Sequence, residues 1–121
     1  MNPVNWFEIP VIDMARAKAF YENVFNLVLD LHDMGSLRMA WFPMENNAYG
    51  ASGSLVQAEQ HVPSRTGIII YFSVENIEDI LGKAGKSGGK ILNPKMSIGE
   101  YGFIGHFEDS EGNCIGLHSM Q

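Results

Sequence analysis

The chain has 121 residues, 45% of them hydrophobic and 18% charged, a composition typical of one folded domain and unlike that of a disordered segment. Eight Lys and Arg against fourteen Asp and Glu give a net charge of −6, which argues against a partner held by its phosphates, such as nucleic acid or an anionic membrane surface. The sequence has no signal peptide pattern and no apolar run of roughly 18 residues, and the single Cys114 cannot form an internal disulfide, so we expect a cytoplasmic protein.

The first predicted elements are a strand and a helix. In the strand Trp6–Val11, alternation puts Trp6 and Glu8 on the face opposite the apolar one. Asp13 has a side chain that can cap the helix that follows. The helix has one apolar face, formed at three- and four-residue spacings by Met14, Ala17, Phe20, Tyr21, Val24 and Phe25.

Three strands and a linker complete the first half. The strands are predicted at Leu27–His32, Leu37–Phe42 and Ala51–Gln57, with a loop from Pro43 to Gly50. The segment Ala58–Thr66 is polar and contains a proline, which is typical of a linker.

The second half repeats this order. Gly67–Val74 is nearly continuous in apolar residues, so we expect a central strand, and Asn76–Lys86 is predicted to be its helix. Three more strands are predicted at Lys90–Asn93, Tyr101–Glu108 and Asn113–Ser119, with the turn DSEGN between the last two.

An internal repeat relates the two halves. A shift of 63 residues carries Phe7, Ile9 and the cap Asp13 onto Ile70, Phe72 and Asn76. Because a unit of about 60 residues buries too little surface to be stable alone, we expect a single domain, 1–121. Its repeat units run from about 1 to 57 and from 67 to 121, joined by a linker, 58–66.

These features resemble the vicinal oxygen chelate superfamily, which includes glyoxalase I, extradiol dioxygenases and bleomycin resistance proteins. The resemblance is carried by the paired βαβββ units, by Phe20-Tyr21 in the first helix and by the DSEGN turn, and the two ends of the chain look most like small bacterial glyoxalase-like proteins without an assigned reaction. The resemblance implies an α+β fold in which two βαβββ units form a curved, cup-shaped mixed β-sheet with the helices outside. It also implies a homodimer, since two units meet to complete cups within a chain or across a dimer.

The resemblance also gives positions for a metal. Family enzymes hold a divalent metal with the first and last strands of each unit, and these positions match Trp6, Ile69, Gly116 and, within a residue or two, Gly53. A catalytic zinc needs about three His, Cys, Asp or Glu ligands. None of the four residues is such a donor, so we expect no metal, no cofactor and no glyoxalase I activity. Moving two positions along each strand recovers only Glu8, Tyr71, Cys114 and His118.

The candidate ligand-binding residues are Trp6, Glu8, Ile69, Tyr71, Gly116 and His118. Trp6 is either a flat wall for an aromatic ligand or part of a closed core. Glu8 is a hydrogen-bond acceptor, a partner for a cation or a general base, unless it merely pairs with an Arg or water.

In the second unit, Ile69 and Tyr71 are the counterparts of Trp6 and Glu8. Tyr71 either lines a pocket or has a hydroxyl that reaches a backbone carbonyl, and His118 either touches ligand or lies at the rim. We expect His106 and Glu108, which share a strand face, to be solvated or at an edge.

The leading hypothesis is a metal-free protein that binds a small, partly apolar or aromatic molecule between Trp6 and Tyr71. The alternative is a lyase, isomerase or dioxygenase-like enzyme with Glu8 as its base or with a relocated metal site. A third hypothesis is a structural dimer whose cup is filled by its own side chains.

Overall fold

The structure, a computed structural model, describes all 121 residues. The N-terminal unit consists of β1 (Trp6–Pro10), α1 (Met14–Phe25), β2 (Asp30–Asp33), β3 (Arg38–Trp41) and β4 (Ser52–Gln57). The C-terminal unit consists of β5 (Ile70–Ser73), α2 (Ile77–Lys86), β6 (Lys90–Ser97), a 3-10 turn (Gly99–Tyr101), β7 (Phe103–Glu108) and β8 (Cys114–Ser119).

Each unit contributes one four-stranded mixed sheet. The strand order is β1-β4-β3-β2 in the N-terminal sheet and β5-β8-β7-β6 in the C-terminal sheet. In each sheet the first and last strands of the unit are parallel and the other pairs are antiparallel. The predicted α+β fold of two βαβββ units is therefore confirmed.

Both helices begin at the predicted caps. A side-chain oxygen of Asp13 accepts from the backbone N–H of Arg16 at 3.1 Å, and Asn76 accepts in the same way from Asp79 at 3.0 Å. These bonds satisfy amides that have no partner within the helix. Neither helix is long and apolar enough to cross a membrane.

One face of each sheet, here called the inner face, packs against the helices. Residues of both inner faces and of both helices belong to a single cluster of 17 buried apolar side chains. Phe72 of β5 shows how closely the units join, because its ring centroid lies 5.8 Å from that of Phe7 and 4.5 Å from that of Phe25. The two units therefore share one core, with their helices between the two inner faces.

The prediction that Gly67–Val74 forms a central strand is wrong. β5 is shorter and lies at the edge of its sheet, paired only with β8, and Ile68 just before it is 94% exposed. A run of apolar residues shows that the side chains are hydrophobic, but it does not show how many strands flank them. The run therefore did not establish a central position in the sheet. An exposed apolar run instead marks a surface suited to a further contact.

Apart from β5, the strands whose bounds differ most from their predictions are β2 and β6. β2 begins at Asp30 and not at Leu27, because Leu27 and Leu29 pack against the core before the strand starts. β6 continues through Pro94 to Ser97, since it is an edge strand whose register shifts on both sides of Asn93, and a proline is tolerated at such an irregular edge.

The last hairpin turn ties the two units together. The carboxylate of Glu111 accepts from the backbone N–H groups of Ile12 and Asp13, at 2.8 and 2.9 Å, and from the guanidinium of Arg16. Asn113 donates to the carbonyl of Pro10 at 2.8 Å. Burial by itself raises the pKa of Glu111, but these hydrogen bonds outweigh it and hold the pKa below its ordinary value.

Candidate functional site

The faces of the two sheets that point away from the helices, here called the outer faces, carry the candidate residues. On the N-terminal sheet, Phe7 and Ile9 of β1 face the core, so Trp6 and Glu8 lie on the outer face. The register places Ser54 of β4 between Glu8 and Trp41 of β3. The shared face that the sequence predicts for Trp6 and Glu8 is present in the structure.

Two tryptophans form the apolar part of this N-terminal outer face. The indoles of Trp6 and Trp41 meet edge to face, with centroids 6.0 Å apart and planes at 84°. The imidazole of His32 stacks on Trp41 at 3.9 Å, and Asp30 bonds that imidazole at 3.0 Å. Rings held at right angles provide aromatic surfaces facing in different directions, an arrangement suited to a flat or cationic group.

Glu8 is held in place at the edge of this aromatic group. The indole N–H of Trp6 donates to Oε2 of Glu8 at 3.3 Å, and Nε2 of His61 lies 3.4 Å from Oε1. The linker that carries His61 thus folds back over β1. The carboxylate has defined partners and is still exposed to solvent.

Two polar atoms on this face are buried without a hydrogen-bond partner. They are Nε1 of Trp41 and Nδ1 of His61. Buried polar atoms almost always have partners, and each exception calls for a structural or functional reason. The two atoms lie beside the residues that the sequence singled out, which makes this face the stronger half of the candidate site.

Sequence reasoning missed Trp41, His32 and His61. A signal for Trp41 existed, because alternation from the core residue Ala40 puts it on the same face as Trp6, and the chain has only two tryptophans. No such signal exists for His61, since a linker has no periodicity from which to infer the direction of a side chain.

The C-terminal outer face is built around Tyr71. Its ring lies across Gly116 of β8, and a Cβ added to Gly116 would be 2.5 Å from Cδ1 and Cε1 of that ring. The tyrosine hydroxyl is 2.8 Å from Nε2 of His106 on β7, and Nδ1 of His106 is 3.2 Å from the amide nitrogen of Asn93 on β6. The hydroxyl therefore reaches an imidazole and not the backbone carbonyl considered from the sequence.

The prediction that His106 is solvated or at an edge is wrong. It lies on β7, which is flanked by β6 and β8, and it is 8% exposed. The side chain of Tyr71 on β5 reaches over β8 and covers His106. Strand alternation correctly put His106 and Glu108 on one face of β7, but alternation contains no information on what lies over that face.

The remaining candidates lie on the same outer face. Ile69 directly precedes β5 and is 39% exposed. Nε2 of His118 donates to the carbonyl of Tyr101 at 2.6 Å, which anchors the 3-10 turn to β8. Glu108 pairs with Arg65 of the linker at 2.7 Å.

The two outer faces point away from each other within one chain. Adjacent rings of α1 contact both sheets, since Phe20 packs on Phe107 of β7 and Tyr21 packs on Phe42 directly after β3. The two inner faces therefore look toward each other across the helix, and the outer faces look in opposite directions. Trp6 and Glu8 on one side, and Tyr71 and His118 on the other, are therefore not brought into one pocket by a single copy.

The metal positions given by the resemblance do not fit a divalent ion. Trp6 and Ile69 have no suitable donor atom, and the ring of Tyr71 occupies the space above Gly116. The fourth metal position was predicted within a residue or two of Gly53, but Gly53 itself faces the core beneath Phe7. The outward residue that pairs with Glu8 is Ser54, and its hydroxyl already donates to backbone carbonyls. No group of three or more His, Cys, Asp or Glu side chains is arranged to hold a metal.

The comparisons with known proteins agree with this fold. A curated relative, a glyoxylase-like domain-containing protein of Didymella fabae, is 26% identical over 114 residues, which cover 91% of this chain and 88% of the relative. The structure of a glyoxalase-related enzyme from Fulvimarina pelagi is similar with a TM-score of 0.75 at 12% identity, covering 98% of this chain and 88% of that one. A glyoxylase/bleomycin resistance protein/dioxygenase domain from Frankia sp. EAN1pec has a TM-score of 0.74 at 17% identity, over 100% and 99% of the two chains. Residues 4–117 match the family model of the Glyoxalase/Bleomycin resistance protein/Dioxygenase superfamily, and the chain belongs to that family.

Proposed function

We propose that the protein binds a small, partly aromatic molecule, without a metal, in a cup whose two walls come from two copies of the chain. One wall is the N-terminal outer face of one copy, with Trp6, Glu8 and Trp41. The other wall is the C-terminal outer face of the second copy, with Ile69, Tyr71, Gly116 and His118.

The observation that carries the proposal is the pair of buried, unpartnered polar atoms beside Trp6 and Glu8. Nε1 of Trp41 is a donor only, so it can bond nothing but an acceptor, and Nδ1 of His61 can serve in either role. A buried group without a partner costs about 1 to 3 kcal/mol. A ligand that shifts the side chains of Trp41 and His61 and bonds these atoms would recover part of that cost.

Two features support a second copy. The outer faces diverge within one chain, so a ligand that touches both needs a partner molecule. The edge at β5 is apolar and uncovered, with Ile68 94% exposed and Tyr71 46% exposed. Exposed apolar groups of this size are typical of an interface between proteins.

The chemistry of the N-terminal face supports the class of ligand. The aromatic rings of Trp6 and Trp41 give a flat apolar contact, and the carboxylate of Glu8 provides an acceptor or a partner for a cation. A partly aromatic molecule with one polar group matches both. The lone Cys114, without a partner for an internal disulfide, agrees with the cytoplasmic location that we propose.

A thermal-shift screen of small aromatic molecules tests the proposal. Compounds that raise the melting temperature of the wild type are screened again on Trp6→Ala, on Glu8→Gln and on the control Glu75→Gln, an exposed acid that follows β5. We expect the shifts to shrink in the first two variants and to persist in the control. Unchanged shifts in Trp6→Ala and Glu8→Gln would remove these residues from the site.

The second candidate function is a metal-independent isomerase or lyase with Glu8 as the general base. The observation that favours it is the imidazole of His61 next to Oε1 of Glu8, because such a pair can pass a proton onward. Nuclear magnetic resonance of the screened compounds, incubated with protein in deuterated water, separates the two functions. Exchange or conversion that disappears in Glu8→Gln while binding remains would favour the enzyme.

A further inference from the structure

Three polar side chains form a chain of hydrogen bonds across the C-terminal outer face. The amide of Asn93 lies 3.2 Å from Nδ1 of His106, and Nε2 of His106 lies 2.8 Å from the hydroxyl of Tyr71. The three residues belong to β6, β7 and β5, so the chain crosses the whole sheet.

Separate structural features make this chain possible. The register of β6 shifts on both sides of Asn93, an irregularity that redirects a side chain toward β7. Gly116 has no Cβ, which lets the ring of Tyr71 lie over β8 and reach the next strand. His106 is 8% exposed and has a partner at each ring nitrogen.

The order of donors along the chain follows from the chemistry of each group. The amide of Asn93 faces His106 with its nitrogen, and in this orientation the amide donates and Nδ1 of His106 accepts. A neutral imidazole has one N–H, which is therefore on Nε2, and it donates to the oxygen of Tyr71. The phenol proton of Tyr71 is then not used by His106 and is free for another acceptor.

We propose that Tyr71 donates this proton to a hydrogen-bond-accepting oxygen of the ligand, such as a carbonyl, and that His106 and Asn93 are positioning residues that fix its direction. Tyr71 is 46% exposed, so this residue is open to a ligand on the C-terminal outer face. The ligand class rests on the proposed function, whereas the hydrogen-bond order does not.

The first test is the tautomer of His106, measured by long-range proton–nitrogen correlation on protein with ¹⁵N-labelled histidine near neutral pH. The signals of His106 are assigned from their loss in His106→Gln. We expect a proton on Nε2, which faces Tyr71, and none on Nδ1, which faces the amide nitrogen of Asn93. A proton on Nδ1 would overturn the proposal, because the phenol of Tyr71 would then have to donate to His106.

The second test uses two probes that differ in one atom group, acetophenone and α-methylstyrene, in which a CH₂ replaces the carbonyl oxygen. One net hydrogen bond corresponds to roughly a threefold to tenfold change in affinity. We expect Tyr71→Phe to weaken acetophenone by that factor and to leave α-methylstyrene unchanged. Equal weakening of both probes would overturn the role of Tyr71 as donor.

Asn93→Leu separates positioning from simple structural support. Without the amide, both tautomers of His106 become accessible, so the two nitrogen shifts should move toward each other and acetophenone should weaken by less than in Tyr71→Phe. Unchanged nitrogen shifts in this variant would overturn the role of Asn93. Failure of both probes to bind the wild type would count against the proposed function, while the tautomer measurement would still decide the hydrogen-bond order.

Discussion

The hydroxyl of Tyr21 donates to Oδ2 of Asp109 at 2.6 Å, although the two residues are 88 positions apart. Burial, and next the charge of Asp109, raise the pKa of Tyr21 well above its ordinary value of 10.0, so the phenol keeps the proton that it donates. The bond joins the first helix to the last hairpin turn, the two motifs on which the family resemblance was based. These motifs therefore contact each other and hold the two units together.

Tyr21→Phe should lower the free energy of unfolding by about 1.5 to 3 kcal/mol, the net value of a hydrogen bond to a charged group. Asp109 keeps bonds from the backbone N–H groups of Glu111 and Asn113, so the fold should survive. Urea denaturation measures the difference. The fully exposed Tyr49 provides the control, since Tyr49→Phe should change stability by less than about 0.5 kcal/mol. Equal stability of both variants would contradict the role assigned to the Tyr21 bond.

Glu111→Gln should destabilise the protein near neutral pH and much less in acid. The pKa of Glu111 is below its ordinary value of 4.5 in the folded chain, so the ionised carboxylate stabilises the fold above that pH, and the stabilisation is lost as the pH falls through the folded pKa. We expect a loss of about 2 kcal/mol near pH 7, typical of charge-assisted hydrogen bonds.

Urea unfolding of wild type, Glu111→Gln and the control Glu75→Gln across this pH range checks the prediction. The curves of wild type and Glu111→Gln should converge below pH 4.5. If the free energies of unfolding of wild type and Glu111→Gln differed by the same amount at all pH values, the charge of the carboxylate would not be what stabilises the turn.

Gly116→Ala should displace the ring of Tyr71 and weaken its bond to His106. The new Cβ would be 2.5 Å from ring atoms of Tyr71, an overpacking that costs about 1 to 3 kcal/mol. In a Tyr71→Ala background the same change should lower the free energy of unfolding much less, because the three atoms nearest to the new Cβ all belong to that ring.

Gly53→Ala is the matched control for this cycle. Its Cβ would meet the backbone oxygen and the ring of Phe7 on the core side of β4, so its cost should be at least as large and should not depend on Tyr71. If Gly116→Ala lowered the free energy of unfolding by the same amount with and without the ring of Tyr71, the placement of that ring would be contradicted.

Ile68→Asp should convert a dimer into a monomer without loss of unfolding stability in the isolated chain. Ile68 is 94% exposed, so the substitution removes no core contact, while a charge in the proposed interface is unfavourable. Analytical ultracentrifugation over a range of protein concentrations measures whether each variant is a monomer or a dimer. Val28→Asp, at another exposed apolar position, should leave the dimer intact. A monomeric wild type, or an unaffected dimer in Ile68→Asp, would contradict the two-copy cup.

The sequence by itself determined the local structure. The alternation in β1 gave the faces of Trp6 and Glu8, and Asp13 and Asn76 gave the starts of both helices, because strand parity and helix capping depend only on neighbours along the chain. The repeat of these signals indicated two βαβββ units in one domain, and the family resemblance implied the fold that they form.

Only the tertiary structure decided which residues meet. It placed β5 at an edge, shifted the outward position on β4 from Gly53 to Ser54, and laid Tyr71 over Gly116 to reach His106. It also turned the two outer faces away from each other. Such relationships depend on sheet register, on strand irregularities and on the packing of one unit against the other, and these join residues whose separation along the chain has no periodicity to reveal it.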